Sequence, residues 1–327
     1  FYISASGEHN DFVKKTVIDP NYPQSVPNTR IEISIAPSNP EYIYCAISTE
    51  GGRYGLMKGV YRSTDRGDSW EIIGKPGLSE LNIFNQQAKY DMVIKVHPED
   101  EDKIYVGGLD LWSWSYNESW EKLTQWGYAG FPMFTNYLHA DQHELIFHPD
   151  NPDIMYSGND GGVFKSEDGG NTFVHMNRGY NVTQFYAIGY SKYGEVVGGT
   201  QDNGTQLVAW KAEHSNSDIV QGATPQAGFE IGGGDGGYAL FSRLNPDIIF
   251  SETQNAGELR RSATKGLSQN TIWAEFLENR IEVNGSNWVT PYALHENMND
   301  PINSNLDGLP FEEIITYVNN PLDTLFT

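Results

Sequence analysis

The chain has 327 residues and a formal net charge of −22, which repels phosphate backbones and anionic lipid surfaces. Nucleic-acid and membrane-surface partners are therefore disfavoured, whereas cations and neutral glycans are compatible. No apolar run approaches the roughly 20 residues needed to cross a bilayer. The single cysteine, Cys45, lies in an apolar run and is expected to be a buried structural thiol. The many glycines, aromatic residues and Asx residues favour short strands and tight turns, so we expect an all-β protein.

The chain begins with an irregular segment. Residues 1–30 predict one short strand followed by a proline-rich approach, with Pro20, Pro23 and Pro27, to the first regular element. Residues 31–287 carry an internal repeat, and residues 288–327 open like a further, divergent unit. We expect the sequence to be part of a longer protein.

The repeat consists of an apolar strand, a Pro or Asx turn, a second strand, a glycine-rich corner and a third strand. Five copies begin near residues 31, 92, 144, 185 and 238. Pro98 and Pro149 are 51 positions apart, and a period near 50 is typical of a four-stranded propeller blade. The sequence therefore predicts a β-propeller of four-stranded antiparallel blades, with six or seven blades or as part of a longer array.

Two loops after third strands share a more specific pattern. Residues 63–70 read Ser-x-Asp-x-Gly-x-x-Trp, and residues 166–173 repeat the pattern with a final Phe. Residues 114–120 are an eroded copy. The Asp carboxylate can accept backbone N–H bonds across a tight turn, the Gly supports a positive φ, and the aromatic residue packs into the blade. We therefore predict structural roles for Asp65, Gly67, Trp70, Asp168, Gly170 and Phe173.

At these residues the chain resembles the Asp-box, or BNR-repeat, propeller superfamily, which includes bacterial sialidases, xyloglucan-active hydrolases and the luminal domain of sortilin. It is most similar to secreted surface proteins of Bacteroidota labelled glycosyl hydrolase, in phrases at residues 139–143, 158–162, 199–204 and 233–237. The resemblance implies a secreted or cell-surface, carbohydrate-active protein. Sialidase activity is not expected, because the phrase around Arg30 lacks the aromatic residue and the proline of that family and arginines are few.

Propeller geometry separates the candidate site from the Asp boxes. The hairpin between third and fourth strands lies at one end of a blade, whereas the second-to-third corner and the start of the first strand lie at the other end. The acidic and histidine residues expected at that second end are His139, Asp141 and His143 before the third blade, Asp235 before the fifth, and Glu50, Asp110, Asp160 and Asp202 in the corners.

Two chemistries suit this set. If residues 136–148 are extended, a period of two places His139, Asp141 and His143 on one side, where they could bind a divalent metal such as Ca²⁺ or perform acid–base chemistry. The predicted catalytic residues are these three with Asp160 and Asp202. The alternative is that such residues cap strand ends and bond loop backbone.

Substrate contacts are predicted nearby. Aromatic faces stack on sugar rings, so Trp112, Trp126 and Tyr128 could form a glycan platform, although core filling would also explain them. Asp235, Asp110 and Glu50 are the polar candidates for substrate binding.

Two functions follow from the sequence. The first is a glycoside hydrolase with paired carboxylates, whose separation would distinguish retention from inversion. The second is a non-catalytic propeller that binds a glycan or a cell-surface protein and holds Ca²⁺ on its acidic surface.

Overall fold

A computed structural model describes residues 2–4, 6, 8–14, 27–75, 81–128, 136–177, 183–208, 228–256, 258–266, 270–271, 288–294, 296 and 315–316. The chain divides into two compact units, Phe1–Asn181 and Val182–Thr327. The described residues contain strands and two three-residue 3-10 turns, Trp126–Tyr128 and Gln254–Ala256, and they include no α-helix.

The first unit contains three four-stranded antiparallel sheets, named blades 1 to 3, in which consecutive strands pair. A separate pair, β1 (Tyr2–Ile3) and β2 (Val13–Lys14), precedes them. The blade strands are β3 (Asn28–Ile35), β4 (Ile43–Thr49), β5 (Leu56–Ser63) and β6 (Glu71–Gly74); β7 (Val93–His97), β8 (Asp100–Gly107), β9 (Leu111–Ser115) and β10 (Ser119–Lys122); and β11 (Gln142–His148), β12 (Asn151–Asn159), β13 (Gly162–Ser166) and β14 (Val174–His175).

The second unit contains blades 4 and 5, built in the same way. A two-stranded pair, β23 (Tyr292–Ala293) with β24 (Ile315–Thr316), follows them. The blade strands are β15 (Phe185–Tyr190), β16 (Val196–Thr200), β17 (Thr205–Val208) and β18 (Gly228–Gly232), then β19 (Gly236–Phe241), β20 (Ile249–Thr253), β21 (Leu259–Ser262) and β22 (Asn270–Thr271).

These strands confirm the predicted fold class. The protein is all-β, with the four-stranded antiparallel blades of a β-propeller, and a first strand stands at each of the five repeats. The number of blades in the whole protein stays a prediction.

Strand alternation explains how the blades pack within the first unit. On β7, Ile94 points into a core shared with blade 1, whereas Val93 points into a core shared with blade 3. Complete burial of a large aliphatic or aromatic side chain contributes about 1.5–3 kcal/mol, so these two cores dominate the stability of the unit. Cys45 is fully buried, as expected, and burial raises the pKa of its thiol to about 12.

The hairpin at residues 63–70 shows why its residue types are required. The Ser63 hydroxyl accepts the Gly67 N–H at 2.7 Å, and the Asp65 carboxylate accepts the Ser69 N–H at 2.8 Å. Gly67 has a φ of 82°, and Trp70 packs against the core of blade 1. The second hairpin repeats these bonds, with Ser166, Asp168, Gly170 and Thr172 in the corresponding places and Phe173 in the core between blades 2 and 3.

Blade 5 contains a third hairpin of this type that the sequence pattern did not identify. The Ser262 hydroxyl accepts the N–H groups of Thr264 and Gly266, and Lys265 and Gly266 both have positive φ. The pattern was missed because Thr264 stands where the other two hairpins have Asp. The Ser-x-x-x-Gly spacing is the part of the pattern that this hairpin keeps.

Candidate functional site

The candidate site lies at one end of blade 3. Strand β12 has nine residues, which span about 26 Å at 3.3 Å per residue. At its first end Gly169, in the Asp-box hairpin, donates its N–H to the carbonyl of Asp153. At its other end the turn into β13 carries Asp160. The hairpin and Asp160 are therefore at opposite ends of the blade.

Asp160 is held by two side chains from different elements. His143 Nε2, on β11, lies 2.6 Å from Asp160 Oδ1, and the Tyr90 hydroxyl donates to Asp160 Oδ2 at 2.7 Å. Tyr90 and His143 also meet edge to face, with ring centroids 5.1 Å apart. Burial by itself raises the pKa of Asp160, but the bonds from His143 and Tyr90 outweigh it and leave the pKa below its usual value. Asp160 is ionised at neutral pH.

Asp141 lies beside another aspartate, Asp91. The Gln87 carboxamide donates from Nε2 to Asp91 Oδ2 at 2.9 Å and also to Asp141 Oδ1. Asp91 is fully buried, and burial together with the nearby Asp141 raises its pKa to about 8. Burial also raises the pKa of Asp141, and the negative charge of Asp160 raises it further. Two carboxyl groups whose pKa values are raised thus lie near one whose pKa is lowered.

His139 is positioned by the glycine corner between β12 and β13. A Cβ added to Gly161 would lie 2.3 Å from His139 Cγ, so the ring lies directly on the Gly161 backbone. The buried Gln142 fixes the same segment, because its Nε2 donates to the His139 carbonyl and its Oε1 accepts the Ser157 hydroxyl at 2.6 Å. The glycine at 161 is therefore required by close packing.

The predicted metal site at His139, Asp141 and His143 is wrong in its geometry. Strand β11 begins only at Gln142, and Asp141 has a φ of 66°, so residues 139–141 lie outside the strand and the period of two does not extend over residues 139–143. Asp141 is turned toward Gln87, whereas His143 is turned toward Asp160. In the described part of the chain, no three His, Cys, Asp or Glu side chains are grouped so that they could hold a metal ion.

Asp110 stabilises its own corner. It is buried, accepts the Trp126 N–H at 2.7 Å and pairs with Lys122 at 2.7 Å, which fixes the start of the 3-10 turn. Burial raises the pKa of Asp110 despite the bond from Lys122.

The residues of the predicted glycan platform have different surroundings. Trp112 packs against the core between blades 1 and 2, whereas Trp126 is 46% exposed. Tyr128 ends the 3-10 turn, and its side chain lies outside the described residues. Glu50 is exposed at the start of the corner between β4 and β5.

Asp202 and Asp235 belong to the second unit. Asp235 is buried, and its Oδ1 accepts the Asp202 N–H at 2.9 Å. The surrounding glycines pack backbone against backbone, since a Cβ on Gly199 would lie 2.0 Å from the Gly237 carbonyl oxygen. These contacts show that Asp235 and the glycines stabilise the backbone of this corner. A role for the two aspartates in catalysis or substrate binding stays a prediction, as does their convergence with the carboxyl groups of blade 3.

The sequence pattern did not single out Asp91, Gln87 or Tyr90. A usable signal was present, because an aspartate stands one or two positions before the first strand in three blades. These residues are Asp91 before β7, Asp141 before β11 and Asp235 before β19.

Comparison with known proteins gives limited similarity. No protein-family model matches the chain. A stretch of 99 residues, 29% of this chain, is 31% identical to a xyloglucanase of Paenibacillus sp and covers 9% of that enzyme.

Similar solved structures include two GH74 enzymes and one protein of another type. The GH74 xyloglucanase of Xanthomonas campestris is 16% identical over 74% of this chain and 38% of its own, with a TM-score of 0.35. The GH74 enzyme of Niastella koreensis is 14% identical over 73% and 37%, also with a TM-score of 0.35. YCF48 of Cyanidioschyzon merolae is 10% identical over 75% and 86%, with a TM-score of 0.30. The chain thus spans less than half the length of these GH74 enzymes.

Proposed function

We propose that this chain is a carbohydrate-active propeller that hydrolyses glycosidic bonds, with Asp141 as the proton donor and Asp160 as its ionised partner. One observation carries the proposal: a single blade end brings together carboxyl groups whose surroundings shift their pKa values in opposite directions. Glycoside hydrolysis needs one protonated and one ionised carboxyl group, and opposed pKa shifts are how proteins provide them at neutral pH.

The chemistry assigns each group one task. The Asp141 carboxyl gives its proton to the glycosidic oxygen as the bond from that oxygen to the anomeric carbon breaks and the bonding electrons move to the oxygen. The Asp160 carboxylate faces the positive charge that develops on the sugar ring. His143 and Tyr90 each engage one oxygen of Asp160 and so hold the carboxylate in place. Retention in the product would make Asp160 a nucleophile, and inversion would make it a base for water.

Xyloglucan-type β-glucans are the substrates that we propose. The 99-residue similarity to a xyloglucanase supports this class, and a neutral polysaccharide is compatible with a chain of net charge −22. Tyr54 and Tyr90 are partly exposed on connected loops, since the Lys89 N–H donates to the Tyr54 carbonyl, and could stack on sugar rings. Such polymers are extracellular, so we place the protein outside the cell, with the secreted Asp-box propellers. No helix among the described residues has the length and apolarity of a membrane span.

The test is hydrolysis of xyloglucan and a panel of β-glucans, measured by the release of reducing ends. Loss of a positioned acid removes about 10²- to 10⁴-fold in rate, so Asp141→Asn should fall in that range and Asp160→Asn should also be impaired. Asp150→Asn, in the exposed turn between β11 and β12, is the charge-matched control. Wild-type turnover in folded Asp141→Asn would refute the assignment.

Recognition without turnover is the second candidate function. The engagement of Asp110 and Asp235 in bonds inside the fold favours it, because carboxylates used in this way fix loops rather than react. Retarded migration through a glycan-containing gel, with no product from any substrate in the panel, would select this function over hydrolysis.

A further inference from the structure

Asp91 is the most deeply buried member of the carboxyl cluster. Its side chain has no solvent exposure. Oδ2 accepts from Gln87, whereas Oδ1 has no hydrogen-bond partner among the described residues. A buried carboxylate oxygen that accepts no hydrogen bond raises the free energy of the folded state. A proton on this oxygen, or between it and a neighbouring acceptor, removes that penalty.

The neighbouring acceptor is the carboxyl group of Asp141. Gln87 bonds one oxygen of Asp91 and one of Asp141 through the same NH₂ group, which holds the two carboxyl groups side by side. The two residues are 50 positions apart, but each stands one or two positions before the first strand of its blade. When two carboxyl groups are held at this range, one proton between them replaces the repulsion of two charges with a strong hydrogen bond.

We infer that Asp91 is a positioning residue whose carboxyl group shares one proton with Asp141 beneath the Gln87 carboxamide. This inference rests on the proposed function for its use, because the shared proton is the one that Asp141 donates to the glycosidic oxygen. The charged and titratable groups that face the pair are Asp160 and His139, which act on Asp141 through space, while His143 and Tyr90 engage Asp160. The negative charge of Asp160 keeps the proton on the pair.

The direct test is carboxyl titration by NMR with ¹³Cγ-labelled aspartate, the resonances being assigned by loss in the variants Asp91→Asn and Asp141→Asn. Sharing predicts that both carboxyl carbons titrate in two steps with common midpoints, because coupled groups titrate as a pair. In Asp91→Asn the resonance of Asp141 should titrate in one step. Its midpoint should lie at least one pH unit below the wild-type step that occurs at the higher pH. In Asp141→Asn the resonance of Asp91 should likewise become a single step.

Asp110→Asn is the matched control, since Asp110 is a buried aspartate of the same unit that is paired with Lys122 instead. It should leave both curves unchanged. Single, independent steps for Asp91 and Asp141 in the wild type, unchanged when the other is replaced, would overturn the inference.

A kinetic readout connects the pair to the proposed reaction. For Asp91→Asn, the alkaline limb of the hydrolysis rate against pH should move at least one unit toward acid, about a tenfold loss on that limb. An unmoved limb in an active, folded variant would overturn the positioning role. If no substrate is hydrolysed but the NMR curves are coupled, the shared proton stands and the proposed hydrolysis fails, so the two failures are distinguishable.

Discussion

Replacing Asp91 with Asn should remove a large part of the pH dependence of stability in the first unit. Burial, reinforced by Asp141, raises the pKa of Asp91 from 3.8 to about 8. The folded state therefore holds a proton that the unfolded state releases above about pH 4. The stabilisation from this proton is fully present below the unfolded pKa and is lost as the pH rises through the folded pKa.

The magnitude follows from the separation of the two pKa values. Between pH 5 and pH 7 the folded state keeps the proton and the unfolded state lacks it, so the free energy of unfolding falls by about 1.4 kcal/mol per pH unit. The loss over this interval is about 3 kcal/mol. Asn cannot ionise and can still accept the bond from Gln87 through its amide oxygen, so Asp91→Asn should lack this slope.

The assay is native-state hydrogen exchange at amides of β7 and β11, because two compact units make a single unfolding curve unreliable. The opening free energy is measured at several pH values for the wild type, for Asp91→Asn and for the exposed control Asp150→Asn. The wild type and the control should lose stability in parallel, while the line for Asp91→Asn should be flatter by about 1.4 kcal/mol per unit. Parallel lines for all three proteins would refute the raised pKa.

Three further changes test the packing and the site. Gly161→Ala should lower the opening free energy of the unit by about 1–3 kcal/mol, because the new methyl group meets the His139 ring; unchanged hydrogen exchange at amides of β11 would contradict this contact. Thr264→Asp should raise the stability of blade 5 by about 0.5–1.5 kcal/mol, since it adds the carboxylate acceptor of the other hairpins. Hydrogen exchange at amides of β20 and β21 measures this gain, and unchanged exchange would contradict it. Tyr90→Phe removes a hydrogen-bond donor to Asp160 and therefore raises the pKa of Asp160. The acid limb of the hydrolysis rate against pH should then move to higher pH, and an unmoved limb would contradict the role of Tyr90.

The blades and their hairpins were predictable from sequence because their causes are local. Alternating apolar residues determine which faces of β7 are buried, and the Ser-x-Asp-x-Gly order fixes a turn within five residues. The hairpin at Ser262 shows the limit of residue identity as a signal, since the turn forms with Thr in place of Asp.

The candidate site was predicted only in part. Asp141, Asp160 and His143 were selected because they flank strand ends, and the structure connects His143 with Asp160. The His-x-Asp-x-His metal pattern failed because it assumed extended backbone, whereas Asp141 adopts a left-handed conformation just before β11.

The sequence by itself determined the strand order, the blade period and the turns, because these depend on residues within one repeat. The tertiary structure decided which carboxyl groups meet, since Gln87 reaches Asp141 across 54 positions and Tyr90 reaches Asp160 across 70. That choice sets the protonation of each aspartate, because burial and neighbouring donors shift a pKa and neither can be read from the chain order alone. The same residue type thus has a raised pKa at Asp91 and Asp141 and a lowered pKa at Asp160.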